Sequence, residues 1–497
     1  MRTVSGSSDT VVIVGAGLGG LSAALHLAGA GRHVTVVERE AVPGGRCGLV
    51  QSHGYRFDTG PTVLTMPDLL AQSFAAVGEE LSAWLTLLRL DPAYRARFAD
   101  GTTIDVRAEV DDMADEIANT CGRKDADGYR RYVAFLRELY RIEMPHFIDR
   151  NLDSPVQMLG VPLARLVAMG GFGRLGRKVA RYLDDERLQR LFSFQAMYAG
   201  LAPAQALAIY AVITYMDSVQ GVYFPEGGMH AVPRAMAAAA NAHGVTFRYR
   251  TTVAKVDVSS GRACGVITTD GERIPADVVV VNADLPTAYR ELLPPGSAPR
   301  RLHRLRYSPS AVVLHAGSSA EYPDAAHHTI DFGAAWDSTF EEIISRGQVM
   351  SDPSFLLTTP TRTDPSLAPV GRQTHYVLFP APNLTGNVDW VRRRGAYRDH
   401  MVATLEKRGY RGFGDGIETE YLVTPADWRA QGLAKGAPFA AAHTFTQTGP
   451  FRAPTLDRHI DNLVFCGSNT QPGVGVPMVL VSGRLAAERI TGPRRQR

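Results

Sequence analysis

The stretch Val11–Glu38, VVIVGAGLGGLSAALHLAGAGRHVTVVE, decides the fold class. Its first four residues are β-branched with no polar alternation, the composition of a parallel strand covered on both faces. Gly15, Gly17 and Gly20 then give G-x-G-x-x-G. The three glycines serve a tight turn, close approach of backbone to a pyrophosphate, and close packing of helix on strand. A helix is predicted over 18–30, with Leu18 and Gly19 in its first turn. There, unpaired N–H groups and the helix dipole hold an anion without a basic side chain. HVTVVE is a second strand, and Glu38 closes it about 20 residues beyond the glycines, where an acid accepts hydrogen bonds from a ribose diol and disfavours a 2′-phosphate. The unit predicts a bound adenine dinucleotide.

Outward from that unit, composition sets limits. A chain of 497 residues predicts two or three domains. With 45% apolar and 21% charged residues and a net charge of +3, it carries no nucleic-acid signature. Cys47, Cys121, Cys264 and Cys466 are scattered, without C-x-x-C or a metal-type His spacing. This predicts no metal and a reduced, cytoplasmic protein. The start, MRTVSGSSDT, lacks the form of a signal peptide, and no run of about 18 strongly apolar residues predicts a spanning helix.

After Glu38 comes Arg39–Pro67, REAVPGGRCGLVQSHGYRFDTGPTVLTMP. Gly44 and Gly45 allow a close backbone approach, and Arg46 offers a planar fork to a pyrophosphate. The dinucleotide turn, PGGR and FDTGPTVLTMP together resemble the carotenoid desaturase family, in particular the bacterial phytoene desaturases among the amine-oxidase-like flavoproteins. That resemblance implies FAD, held by Gly45, Arg46, Gly60, Pro61 and Thr62 in addition to the first unit. It continues through YLDDERLQRLFSFQAMYAGLAPAQALAIYAVITYMDSVQGVYFPEGGMHAVPRAM to RHIDNLVFCGSNTQPGVGVPMVLVSGRLAAERI. It implies that the backbone at Val253 meets the adenine and that Gly467, Gly475 and Val476 meet the flavin. Asn469 departs from the family pattern, which has a small Gly or Ser there.

The expected architecture is α/β: a Rossmann-type FAD-binding domain, discontinuous in sequence (9–75, 240–295 and 455–492), an α+β substrate domain (76–130 and 296–454), and a helical, membrane-associated region (131–239). Strands such as AVVLHAG and HYVLFPAP predict an antiparallel sheet with helices over one face. In Val161–Leu183, Arg165, Arg174, Arg177, Lys178 and Arg181 interleave with apolar residues, which suits either surface helices or a membrane interface. Aromatic residues from Phe192 to Tyr215 suit a packed core or the wall of an apolar tunnel.

The resemblance implies removal of hydride from an allylic carbon of phytoene to the flavin, with loss of a proton from its neighbour, stepwise toward lycopene or a less desaturated product. An allylic cation is itself a strong acid, so no tuned base is required. Glu226 and His230 are the candidate polar groups near the ring. A related carotenoid oxidase or ketolase, a desaturase of another carotenoid, and a non-catalytic carotenoid-binding flavoprotein stay open. The expected partners are a long apolar carotenoid, an electron acceptor such as oxygen or quinone, and the inner face of the cell membrane.

Overall fold

In the computed structural model, which describes residues 1–493, the opening stretch forms strand Thr10–Val14, helix Leu18–Gly29 and strand His33–Val37. The two strands pair in parallel, with Val11 opposite Val34 and Val14 opposite Val37. Val278–Val281 and then Leu463–Phe465 extend the sheet on one side, and Thr246–Arg248 completes the other. Five parallel strands thus come from separate parts of the chain. All four residues of Val278–Val281 are buried, as a run without polar alternation requires. Helix Val476–Thr491 lies on helix Leu18–Gly29, tied by the Ser22 hydroxyl donating to the Leu480 carbonyl at 2.7 Å. A Cβ at Gly483 would fall 2.7 Å from that of Ser22, so the approach needs glycine.

The second sheet has seven strands, in the order Ile417–Val423, Ser310–Ser318, Gln373–Ala381, Phe355–Thr358, His328–Asp331, Tyr94–Arg97 and Thr103–Val106. It is mixed rather than antiparallel, because His328–Asp331 pairs in parallel with Tyr94–Arg97. A parallel pair needs a long crossover, and here it is residues 98–327, which include the helical region and two strands of the parallel sheet. Helix Trp390–Lys407 covers one face, burying Trp390, Tyr397, Met401 and Leu405 against Val312, Leu314, Phe355 and Phe379. The alternate residues Ala311 and Val313, with Tyr376, Leu378 and Val423, turn to the opposite face and line a cavity.

The helical region holds Val110–Thr120 and Arg123–Glu143, then short pieces. Helix Arg123–Glu143 runs through the boundary expected at 130/131, and helix Ala231–Ala242 through that at 239/240. Apolar periodicity continues past the point where composition changes, so composition misplaces both edges. Val161–Leu183 divides into helices Val161–Ala168 and Leu175–Val179. Val156, Leu159, Val161 and Val167 stand 60–70% exposed on this stretch and the turn before it. Among the described residues, no helix is long and apolar enough to cross a membrane.

Candidate active site

Between the two sheets and the helical region lies one continuous cavity of about 1790 Å³. Pockets for single small ligands span about 300–1,000 Å³, so this one has room for a dinucleotide and a second, long molecule. Gly15, Gly17, Leu18, Gly19, Glu38, Arg39, Gly45, Arg46, Gly60, Pro61, Thr62, Val253, Gly467, Gly475 and Val476 all line it. Gly20 does not. It faces the Gly15 carbonyl behind the turn, where a Cβ would collide, and so serves helix-to-strand packing.

The turn fits a pyrophosphate. Helix Leu18–Gly29 has no side-chain cap and no acid in its first turn, which leaves its leading N–H groups to a ligand. A Cβ on Gly17 or Gly19 would lie 2.8 Å from the Asn282 amide group, whose Nδ2 donates to the Gly15 carbonyl at 3.3 Å. Glu38 is buried at the end of its strand. Its Oε2 accepts from the Ala16 N–H at 2.7 Å and its Oε1 from the Glu40 N–H at 2.9 Å. A carboxylate retains lone pairs for a ribose diol beyond those two bonds.

Arg46 lines the cavity and braces it as well. Its guanidinium donates to the Pro438 carbonyl and to the Ser468 hydroxyl, each at 2.5 Å, joining the PGGR loop to the C-terminal loop. Asn469 explains its own departure from a small residue. Its Nδ2 donates to Asp284 at 2.5 Å and its Oδ1 accepts from the Ala441 N–H at 2.9 Å, while the other Asp284 oxygen accepts from the Ala434 N–H at 3.1 Å. Burial raises the Asp284 carboxyl, opposed by the Ala434 amide, Arg46 and Asn469; burial likewise lowers Arg46.

The far chamber is walled by Phe194, Met197, Tyr198, Ile209, Met216, Phe332, Trp336 and Phe340, among others. Polar side chains interrupt it, Glu143, Asp217 and His443 among them. Glu143 is buried at the end of its helix. Asp217 accepts from the Ser218 hydroxyl at 2.8 Å, has no partner at Oδ2, and is pushed up to about 7 by burial. The His443 ring has no partner at Nε2 and burial holds it well below its ordinary range, hence neutral.

The family of flavin containing amine oxidoreductases matches residues 18–491. The chain belongs to that family. It is 57% identical to the phytoene dehydrogenase of Streptomyces griseus over 99% of this chain and 97% of that one. It is 39% identical to a zeta-carotene-forming phytoene desaturase of Myxococcus xanthus, over 97% and 93% of the two chains. An oxidoreductase of Methanosarcina mazei shares the fold, with a TM-score of 0.63 at 17% identity over 95% and 98% of the two chains. The protein is an FAD-dependent oxidoreductase of the phytoene desaturase branch.

Within this flavin family, Glu226 and His230 stand differently from the expectation, and neither lines the cavity. Glu226 is exposed, and its backbone N–H donates to the Thr86 carbonyl at 3.0 Å. His230 is buried behind the PGGR loop with Nδ1 2.9 Å from the Cys47 carbonyl, and burial lowers its affinity for a proton. Asp58 accepts from the Met229 and His230 N–H groups at 2.7 and 2.9 Å, so this turn is organised to start helix Ala231–Ala242. Sequence reasoning missed Glu143, Asp217 and His443. For Asp217 the signal available was an isolated acid closing an apolar helical run, AVITYMDS. Among the described residues, no three His, Cys, Asp or Glu side chains converge as a metal site.

Proposed function

We propose that this protein is an FAD-dependent desaturase of phytoene, dehydrogenating it stepwise toward lycopene or a less desaturated product. The observation that carries this reading is the single cavity, with a dinucleotide turn and buried acid at one end and an apolar chamber at the other. Bound FAD supplies the two-electron acceptor for a C–H bond of the substrate. The chain's part is to bind, orient and keep the chamber dry. In this reading the N–H groups after Gly17 hold the pyrophosphate, Glu38 the ribose and the Val253 backbone the adenine. Arg39, Gly45, Arg46 and the Gly60–Thr62 turn close over the cofactor, and Gly467, Gly475 and Val476 bring the start of the last helix to the ring. The three segments 9–75, 240–295 and 455–492 act as the cofactor domain, with 76–130 and 296–454 facing the substrate.

The cavity mouth supports peripheral attachment to the inner face of the cell membrane through region 131–239. Leu159, Val167, Phe445 and Phe451 are 43–70% exposed and also line the cavity, so its rim is apolar. Arg165, Arg174, Arg177 and Arg181 flank that rim in sequence, the pattern of an interfacial helix on an anionic leaflet. A water-insoluble polyene passing from lipid into the chamber never meets water. Oxygen or a quinone then takes the electrons. Incubation of purified protein with phytoene in liposomes tests the reading. Desaturated products without inserted oxygen support it, while inertness toward phytoene with oxidation of lycopene rejects it.

A further inference from the structure

Glu143 is a buried carboxyl in the cavity wall, 5% exposed, and its Oε1 has no hydrogen-bond partner. A buried polar group left unpaired in an apolar chamber is costly and calls for a role. Its place in the fold suggests one. Tyr210 lines the same cavity and feels the charge of Glu143, and the Tyr210 hydroxyl donates to the His443 carbonyl at 2.8 Å. The His443 ring presses on Gly473, where a Cβ would fall 2.7 Å from Nε2, two residues before the Gly475 that opens the last helix. Leu152, downstream of Glu143, exchanges hydrogen bonds with Gln471 of that loop at 3.2 and 3.0 Å. These contacts set Glu143 at the junction of the dinucleotide end and the apolar chamber.

We infer that the Glu143 carboxylate is the proton acceptor of the desaturation. The assignment rests on the reading of the protein as a phytoene desaturase. Two C–H bonds of the substrate break. The electron pair of one leaves as hydride for the bound flavin. The pair of the other, on the adjacent carbon, becomes the new C=C, and its proton forms an O–H bond on Glu143. A cation and a carboxylate give a neutral alkene and a neutral acid, and the acid returns its proton to solvent once product leaves.

Burial alone acts on Glu143 and raises it well above the ordinary carboxylate range. This suits a base that gains charge as the pH rises and works against a substrate cation in a dry site. The titratable or charged groups on the surrounding elements include Tyr140, Arg150, Tyr210, Tyr215, Asp217, His443 and Arg452. Asp217 is the rival acid in the same wall, but one of its oxygens is already held by the Ser218 hydroxyl at 2.8 Å.

The test is the anaerobic bleaching of bound flavin by phytoene in liposomes, followed from pH 6 to 9. In the wild type the rate should rise with pH. Glu143→Gln should lower it by about 10²-fold and flatten the profile, while Glu143→Asp should keep the rise and part of the rate even if the amide variant folds poorly. Independently of turnover, an infrared pH titration should show a protonated-carboxyl band lost as the pH rises and absent from Glu143→Gln. Wild-type rate and profile in Glu143→Gln, or a loss confined to Asp217→Asn, would overturn the assignment alone. Wild-type flavin that phytoene never bleaches would overturn the desaturase reading and this assignment with it.

Discussion

Glu38 does two tasks with one carboxylate: it fixes the glycine turn through the Ala16 N–H and faces the chamber where a ribose would lie. Hydrogen bonds to a charged group are worth about 1.5–3 kcal/mol, so Glu38→Ala should weaken FAD binding roughly 10- to 100-fold. Flavin retained through gel filtration reports it, and a variant that stays yellow and fully active contradicts the ribose contact. Asp217 gives a stability prediction. Its folded value of about 7 lies above the ordinary 3.8, so burial penalises the charged form. Stability from the protonated form is fully present below pH 4 and is lost as the pH rises through 7, by roughly 4 kcal/mol in total. Urea unfolding of Asp217→Asn at pH 5 and 8 should show a smaller fall than wild type; an equal fall would show that Asp217 does not carry the effect. The place of Glu38 at the end of its strand, buried and lining the cavity, was legible in the sequence because it follows from a fixed distance along one local unit. Glu143, Asp217 and His443 were not, since their burial is made by segments far away in the chain.

Among the elements, those whose pattern is local followed their sequence. The strand, turn and helix of Val11–Gly29 needed only β-branching, glycine spacing and a helical run. Gly20→Ala drives a Cβ into the Gly15 carbonyl; it should destabilise the protein by about 1–3 kcal/mol, measured by urea unfolding, and a neutral effect would deny the packing role. Strand His328–Asp331 was hidden: HTID is short, has three polar residues out of four and is fully buried, and its parallel neighbour lies upstream of the whole helical region. The exposed apolar stretch around helix Val161–Ala168 is where the membrane reading can fail. A buried Val is worth about 1.5–3 kcal/mol, so Val161→Asp with Val167→Asp should weaken binding to anionic vesicles at least about tenfold. Unchanged cosedimentation would remove this stretch from the interface.

For the molecule as a whole, the sequence motifs at both ends announced a shared site, because each had to reach the same ligand. What they could not announce is how the rest closes it. The unused face of the seven-stranded sheet, the end of helix Arg123–Glu143 and the loop at His443 build the apolar chamber only after folding. Desaturation in this reading depends on continuity between a flavin chamber and a hydrocarbon chamber. The most direct measurement is to load the purified protein with FAD and add phytoene in liposomes without oxygen. Loss of the visible flavin absorbance, matched by a product with one more double bond, is the predicted result. A protein that cannot take up FAD, or whose flavin keeps its colour with phytoene unchanged, would contradict it.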